Sequence, residues 1–316
     1  MNDRLTTPRI AVVGSLNMDL VLQVERAPQA GETVLAQGLA QVPGGKGGNQ
    51  AVACARQGAR VALFGRVGDD GNGRALRAAL EADSIDHAGV QTDPREPTGV
   101  AAITVEATGQ NRIVVVPGAN ARFRLDAALL APALHDAQGL VLQFECPIDE
   151  VLAAAHQARA AGCPVRLNPS PMQPMPETLW ALVDTLVVNE VEAAELAGRA
   201  IDHPQDAADA AHALRGRGPA QVVVTLGAAG AVAADAKGAR YHPGLAVPAV
   251  DTTAAGDTFL GALAVALARG ESLDSAVCKG MRAAAVCVMQ HGAQPSIPTR
   301  AAVARCPQPP DWILLS

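Results

Sequence analysis

The apolar positions of this chain follow two rhythms. Short aliphatic runs, "RIAVVGS" at 9–15 and "RVALFGRVG" at 60–68, have the length and texture of strands buried on both faces. Segments with apolar residues spaced by three and four, "QAVACARQGA" after Asn49 and "GRALRAALEAD" at 73–83, carry the helical period. Asn49 is the predicted N-cap of the first helix and Gly58 its stop. The alternation resumes with a strand at 139–144, a helix at 149–161, and strands at 164–167 and 185–188. Helices at 190–198 and 205–217 and a strand at 221–226 come next. Short strands then lead to about 250, with helices from about 256 and from about 272 to 290. This order predicts an α/β domain, a largely parallel sheet with helices on both faces.

Two regions have a different texture. "DLVLQV" (19–24) and "ETVLAQGLAQV" (32–42) alternate apolar with polar, as half-exposed strands do. Residues 98–117 read as two β-rich runs around a "TGQN" turn, a hairpin. Together they predict a small second sheet, a β-lid formed by about 19–42 and 98–117, on a single domain of residues 1–316. No long low-complexity linker and no fixed-period repeat divides the chain.

Composition narrows the function. Apolar residues make up 49% and aromatics only 2%, so alanine, valine and leucine must build the core. The formal net charge of −6 provides no general basic field, which argues against nucleic acid and anionic membranes as partners. The most apolar stretch, 258–268, is too short to span a bilayer, and the polar start "MNDRLTTPR" is unlike a signal peptide. Six scattered cysteines without a C-x-x-C pair suit reduced thiols in a cytoplasmic protein. The seven histidines have no metal-ligand spacing. Common signatures fail as well. Lys46 is followed by Gly47 and position 40 is alanine, so there is no Walker A motif. The first strand ends in "GSLNMD", not a dinucleotide fingerprint.

Several strand ends nevertheless carry chemistry. Asn17 and Asp19 follow the first strand, where open α/β sheets bind ligands, and both can hydrogen-bond vicinal hydroxyls. Ordinary turn chemistry explains that pair as well. "GGKGGNQ" (44–50) brackets Lys46 with four glycines before a helix, a costly design for a mere loop. Glu145 ends an apolar strand and is either a hydroxyl acceptor or a surface carboxylate. Asn189 and Glu192 have capping-box spacing, which by itself accounts for both. "VTLGAAG" (224–230) is a small-residue loop suited to phosphate or ribose, or simply a turn. "VDTTAAGDTF" (250–259) leads into a helix without any lysine or arginine. There Ala254, Ala255 and Gly256 would offer N–H groups to a transferring phosphoryl group, and Asp257 would take a hydroxyl proton. Asp257 as a plain first-turn acid is the simpler alternative.

In sum these segments resemble the PfkB family of carbohydrate kinases. "GSLNMD", "AGETV", "GGKGGNQA", "PTGVA", "PGANA", "NEVEAAELAG", "VTLGAAGA", "DTTAAGDTF" and "GAQPSIP" occur in that family's order, over about residues 9–298. The resemblance implies a ribokinase-like three-layer α/β sandwich with a mostly parallel central sheet and a small β-sheet lid. It implies ATP-dependent phosphorylation of D-ribose at the 5-hydroxyl; another sugar or nucleoside, such as deoxyribose, is the alternative. A non-catalytic sugar-binding protein on the same fold is the rival of another class, and the presence of Asp257, Gly256 and Asn189 speaks against it. By resemblance, Asn17, Met18, Asp19, Gly45, Lys46, Gly47, Gly48, Asn49 and Glu145 would surround the sugar, with Asp257 as base and Ala254–Gly256 as anion hole. Asn189, Thr225, Leu226, Gly227, Ala228, Ala229, Gly230, Gly256 and Met281 would face ATP, and Glu192 would organise Mg²⁺ through water. Asp251 and Ser296 by side chain, and Thr253, Cys287, Gln290 and Gly292 by carbonyl, would hold K⁺. The lid would also join two copies into a homodimer. Gly48 stands where alanine is common, Met281 where asparagine or histidine is usual, and the tail "RCPQPPDWILLS" has no counterpart.

Overall fold

The computed structural model describes residues 7–108 and 110–315. Residues 1–6 of the polar start, and Gly109 of the predicted "TGQN" turn, lie outside the described residues. The chain opens with β1 (Arg9–Val13), β2 (Asn17–Val24), β3 (Gly38–Gly44), α1 (Lys46–Arg56), β4 (Arg60–Gly68), α2 (Gly71–Ala82) and β5 (Asp86–Asp93). The hairpin β6 (Gly99–Glu106) and β7 (Asn111–Val116) follows, then α3 (Ala127–His135), β8 (Leu140–Gln143), α4 (Ile148–Ala160) and β9 (Val165–Asn168). Next come the single turn α5 (Glu177–Trp180), β10 (Thr185–Asn189), α6 (Glu190–Ala197), α7 (Pro204–Arg215) and β11 (Gln221–Thr225). The last elements are β12 (Gly230–Asp235), β13 (Gly238–Pro243), α8 (Ala255–Ala268), α9 (Leu273–Cys287), α10 (Arg300–Arg305) and β14 (Ile313–Leu315).

Ten strands form one sheet in the order β14-β13-β12-β11-β10-β9-β8-β1-β4-β5. The strands from β11 to β5 pair in parallel, and β12, β13 and β14 add antiparallel at one edge. The apolar runs are explained by burial on both faces. On β1, Ala11 and Val13 join the core on one side, while Ile10 and Val12 join the core on the other. Helix α8 is buried through Asp257–Ala266, which accounts for its apolar character all round. The order reverses at β1, whose neighbours β4 and β8 lie on opposite sides, so a crevice opens outside the carboxyl ends of these strands.

The second sheet has the order β3-β2-β6-β7, with β2 and β6 parallel and the outer pairs antiparallel. Its strands come from the two segments with half-exposed texture. The predicted strand at 32–42 is corrected: β3 begins only at Gly38. Residues 25–37 leave the sheet instead, held by an Arg26–Glu32 ion pair (2.6 Å) and by Gln37 N–H donating to the Gln23 carbonyl (2.7 Å). Strand β5 and helix α3 have no counterpart in the sequence-based reading. The apolar tail ends as β14 on the edge of β13.

Helix α1 begins at Lys46 behind Gly45, not after Asn49. Asn49 therefore sits in the first turn, with its N–H bonded to the Gly45 carbonyl (2.8 Å). Two glycines are poor helix formers, so propensity alone places the start later. Docking overrides it. Gly48 N–H donates to the Ser15 carbonyl (2.9 Å), and a Cβ on Gly47 would lie 2.5 Å from the Gly14 carbonyl carbon and 2.6 Å from Ser15 N. We expect Gly47→Ala to push α1 off the end of β1 and cost about 1–3 kcal/mol or more, read as a lowered denaturant midpoint. An unchanged midpoint would show that this contact relaxes freely.

Candidate active site

The site gathers at the carboxyl ends of β1, β8, β9, β10 and β11, under the root of the smaller sheet. Asn17 and Asp19 leave β1 on the same face of β2, while Met18 points the other way into the core. Asn17 is buried, and its Oδ1 accepts from Asn120 Nδ2 (2.8 Å). Asn120 also clamps the Leu16 backbone through both its Oδ1 and Nδ2, each at 3.0 Å. Asn120 lies in the "PGANA" stretch, where nothing local assigns it a role. Its signal was an amide between small residues; its partners lie more than 100 residues away in the chain.

Asp19 is buried beside Gly44, where any Cβ would overlap its carboxylate. Burial first, then the neighbouring Glu145 and Asp257 charges, push its carboxyl up to about 7. Glu145 is half-buried and accepts from Ser15 Oγ and from the Lys46 backbone N–H (3.1 Å). Burial disfavours the Lys46 ammonium, but Asp257, Glu145 and Glu192 outweigh it and hold its pKa above the usual lysine value. Four N–H groups of the glycine loop are already engaged within the protein. Those of Lys46, Gly47, Gly48 and Asn49 bond to Glu145, Ser15 Oγ, the Ser15 carbonyl and the Gly45 carbonyl. The close approach that the glycines permit is made to the end of β1.

Asp257 stands in the first turn of α8 and is 7% exposed. Its Oδ2 accepts from Asn49 Nδ2 (2.9 Å) and its Oδ1 from Gln50 Nε2 (2.8 Å). The predicted N-cap role of Asn49 is thus replaced by a bond across to α8. Asn49 Oδ1 is buried without a hydrogen-bond partner, an acceptor left for a substrate hydroxyl. Ala254 precedes α8 at φ 60°, the left-handed region that a non-glycine residue adopts only under constraint. Ala255 N–H turns back to the Thr252 carbonyl (3.2 Å), whereas no partner occupies the N–H of Gly256 or Asp257 among the described residues. Gly256 is exposed on the pocket wall with open space where a Cβ would be. Two free N–H groups at a helix start form a site for anionic charge.

The same pocket is lined by Lys46, Asn168, Asn189, Glu192 and Thr225. Asn189 and Glu192 do form the capping box: Glu192 N–H donates to Asn189 Oδ1 (2.8 Å) and Asn189 N–H to Glu192 Oε2 (3.0 Å). Capping uses only one carboxylate oxygen and leaves Glu192 Oε1 toward other uses. Of the predicted nucleotide loop, Thr225 reaches the pocket wall, Leu226 is buried in the core, and Gly227–Ala229 form an exposed 3-10 turn ahead of Gly230. Met281 lies in the core with Phe259 and is not on the pocket wall.

The six residues named for the cation site are linked to one another by short contacts. Asp251 accepts from Thr253 N–H and Gly292 N–H, both at 2.9 Å. Burial opposes its ionisation, but these bonds outweigh it and hold the carboxyl below the ordinary range. Gln290 N–H donates to the Cys287 carbonyl (3.0 Å), and Ser296 Oγ lies 3.0 Å from Cys287 Sγ. A second cleft, of about 520 Å³, adjoins Asn17 and Glu145 beneath β7, within the usual size range of small-molecule sites.

A buried carboxylate aimed into a pocket, free N–H groups beside it, and acceptors for hydroxyls define a phosphoryl-transfer enzyme of the small-molecule kinase type. The model of the pfkB family of carbohydrate kinases matches residues 7–300, and the chain belongs to that family. It is 39% identical over 292 residues to a ribokinase of Haemophilus influenzae, covering 92% of this chain and 95% of that one. A ribokinase of Bacillus subtilis is also 39% identical, over 92% of this chain and 96% of that one. The solved structure of Arabidopsis thaliana ribokinase complexed with ribose and ATP superposes with a TM-score of 0.88 at 32% identity, covering 95% and 98% of the two chains.

Asp19 generates a pH test. Its folded carboxyl titrates near 7, against about 4 in the unfolded chain, so the folded state holds the extra proton in between. Stability therefore falls as pH rises through that window. Without sugar, Asp19→Asn should gain on the wild type between pH 5 and pH 8 by on the order of 2–4 kcal/mol in denaturant unfolding. A pH-independent difference would contradict the buried, charge-crowded carboxyl.

Proposed function

We infer that the chain is a ribokinase, moving the γ-phosphoryl group of ATP to the 5-hydroxyl of D-ribose and releasing ribose 5-phosphate and ADP. Asp257 carries the reading, held by Asn49 and Gln50 next to the free Gly256 and Asp257 N–H groups. The hydroxyl oxygen attacks phosphorus, its proton passes to Asp257, and the N–H groups stabilise the charge on the phosphoryl oxygens. The ribokinases of Haemophilus influenzae, Staphylococcus aureus and Bacillus subtilis, 36–39% identical, support this substrate. Asn17, Asp19, Lys46, Asn49 and Glu145 hold the sugar hydroxyls.

Mg²⁺ accompanies ATP. Glu192 fits it, a hard carboxylate on the pocket wall with Oε1 unengaged; when bound, the ion neutralises phosphate charge. K⁺ suits the loops at 251–253 and 287–296, whose donors are a carboxylate, a hydroxyl and carbonyls, all hard oxygens. The four-stranded sheet is the lid, and its exposed Leu39, Ile113, Val114 and Val116 support a homodimer joined through it. The six free cysteines suit a reducing, cytoplasmic setting.

Asp257→Asn should lower kcat by roughly 10²–10⁴-fold while ATP binding by calorimetry is kept. Near-normal turnover would remove Asp257 as base. A coupled ADP assay over a panel of sugars and nucleosides should rank ribose first, and a stronger response to deoxyribose or a nucleoside would reassign the substrate. The wild type should run faster in potassium than in sodium salts, an advantage that Asp251→Ala abolishes; equal rates in both salts would remove the cation site.

A further inference from the structure

A line of buried amides runs from the central sheet to Asp257. Gln143, the last residue of β8, donates from Nε2 to Gln50 Oε1 (2.6 Å), and Gln50 donates from Nε2 to Asp257 Oδ1 (2.8 Å). Both glutamines have no exposed surface. The direction of the line is forced by chemistry. A carboxylate only accepts, so Gln50 must turn its NH₂ toward Asp257 and its carbonyl oxygen away. That oxygen then needs a donor, and Gln143 supplies one. Reversing either amide would set two acceptors face to face.

Gln143 is a poor core residue in every other respect. The rest of β8 is Leu140, Val141 and Leu142, all fully buried. Gln143 Oε1 is buried with no hydrogen-bond partner and is pressed against Gly14, whose Cβ would lie 2.0 Å from it. An unpaired buried acceptor destabilises a fold, and Gln143 is kept with one. What the glutamine supplies is a donor to Gln50.

We propose that Gln143 is a positioning residue for phosphoryl transfer, fixing through Gln50 the rotation of the Asp257 carboxylate so that its unshared lone pairs face the pocket. This rests on Asp257 being the base. Gln143→Leu should lower kcat by roughly 10- to 100-fold, because a misdirected reacting group loses that much. The KM values for ribose and ATP should stay within about threefold, and the Tm should change little, because the variant removes the unpaired Gln143 Oε1 and leaves Gln50 Oε1 unpaired in its place. A kcat within about twofold of the wild type overturns the proposal, as does a loss of kcat that merely follows a fall in Tm. Gln143→Glu gives a second readout. Its carboxyl donates to Gln50 only when protonated, so activity relative to the wild type should rise as pH is lowered. A ratio that is flat with pH overturns the proposal. Asp257→Asn separates the two levels. If it retains turnover, the base assignment fails; if it is inactive while Gln143→Leu is fully active, only the positioning role fails.

Discussion

The structure depends on keeping one carboxylate buried at the start of a helix. Burying a charge is costly unless hydrogen bonds replace its water. Asp257 gets them from Asn49 and Gln50, adjacent residues on α1 more than 200 positions away in the chain. Both donors reach it only because α1 packs tightly on α8 and its first turn docks on the end of β1. At Gly261 a Cβ would come within 2.4 Å of the Ala53 Cβ, so the small residues of the two helices set the distance. The alanine-rich, aromatic-poor composition is thus tied to the chemistry: larger side chains would hold the helices apart and strand the carboxylate.

The charges around the pocket follow the same economy. The charges of Glu145 and Asp257 disfavour ionisation of the buried Asp19 and favour the Lys46 ammonium. The side-chain hydrogen bonds that direct Asp257 come from two neutral amides. The anionic end of the reaction is met by backbone N–H groups at Gly256 and Asp257. A lysine in that turn would compete with the nucleophile's base for the same space, which gives the absence of basic residues from "VDTTAAGDTF" a physical reason.

Local and functional roles overlap at several residues. Asn189 and Glu192 cap α6 and also line the pocket, and the cap engages only one of the two carboxylate oxygens. Gly47 and Gly48 of "GGKGGNQ" let α1 pack closely on the end of β1.

The alternation of apolar runs and helical periods determined the α/β class, because burial on two faces or one writes itself locally along the chain. The half-exposed texture of 19–24 and 98–117 marked a second sheet for the same reason. Resemblance in motif order brought Asp257, Asn17 and Asp19 forward. Only the tertiary structure decided where α1 starts, since docking of Gly47 on Gly14 outweighs the low propensity of glycine. It alone connected Asn120 to Asn17 and Gln143 through Gln50 to Asp257, and it sent Met18 and Met281 into the core. Those outcomes rest on contacts between residues far apart in the chain, and no local period records them.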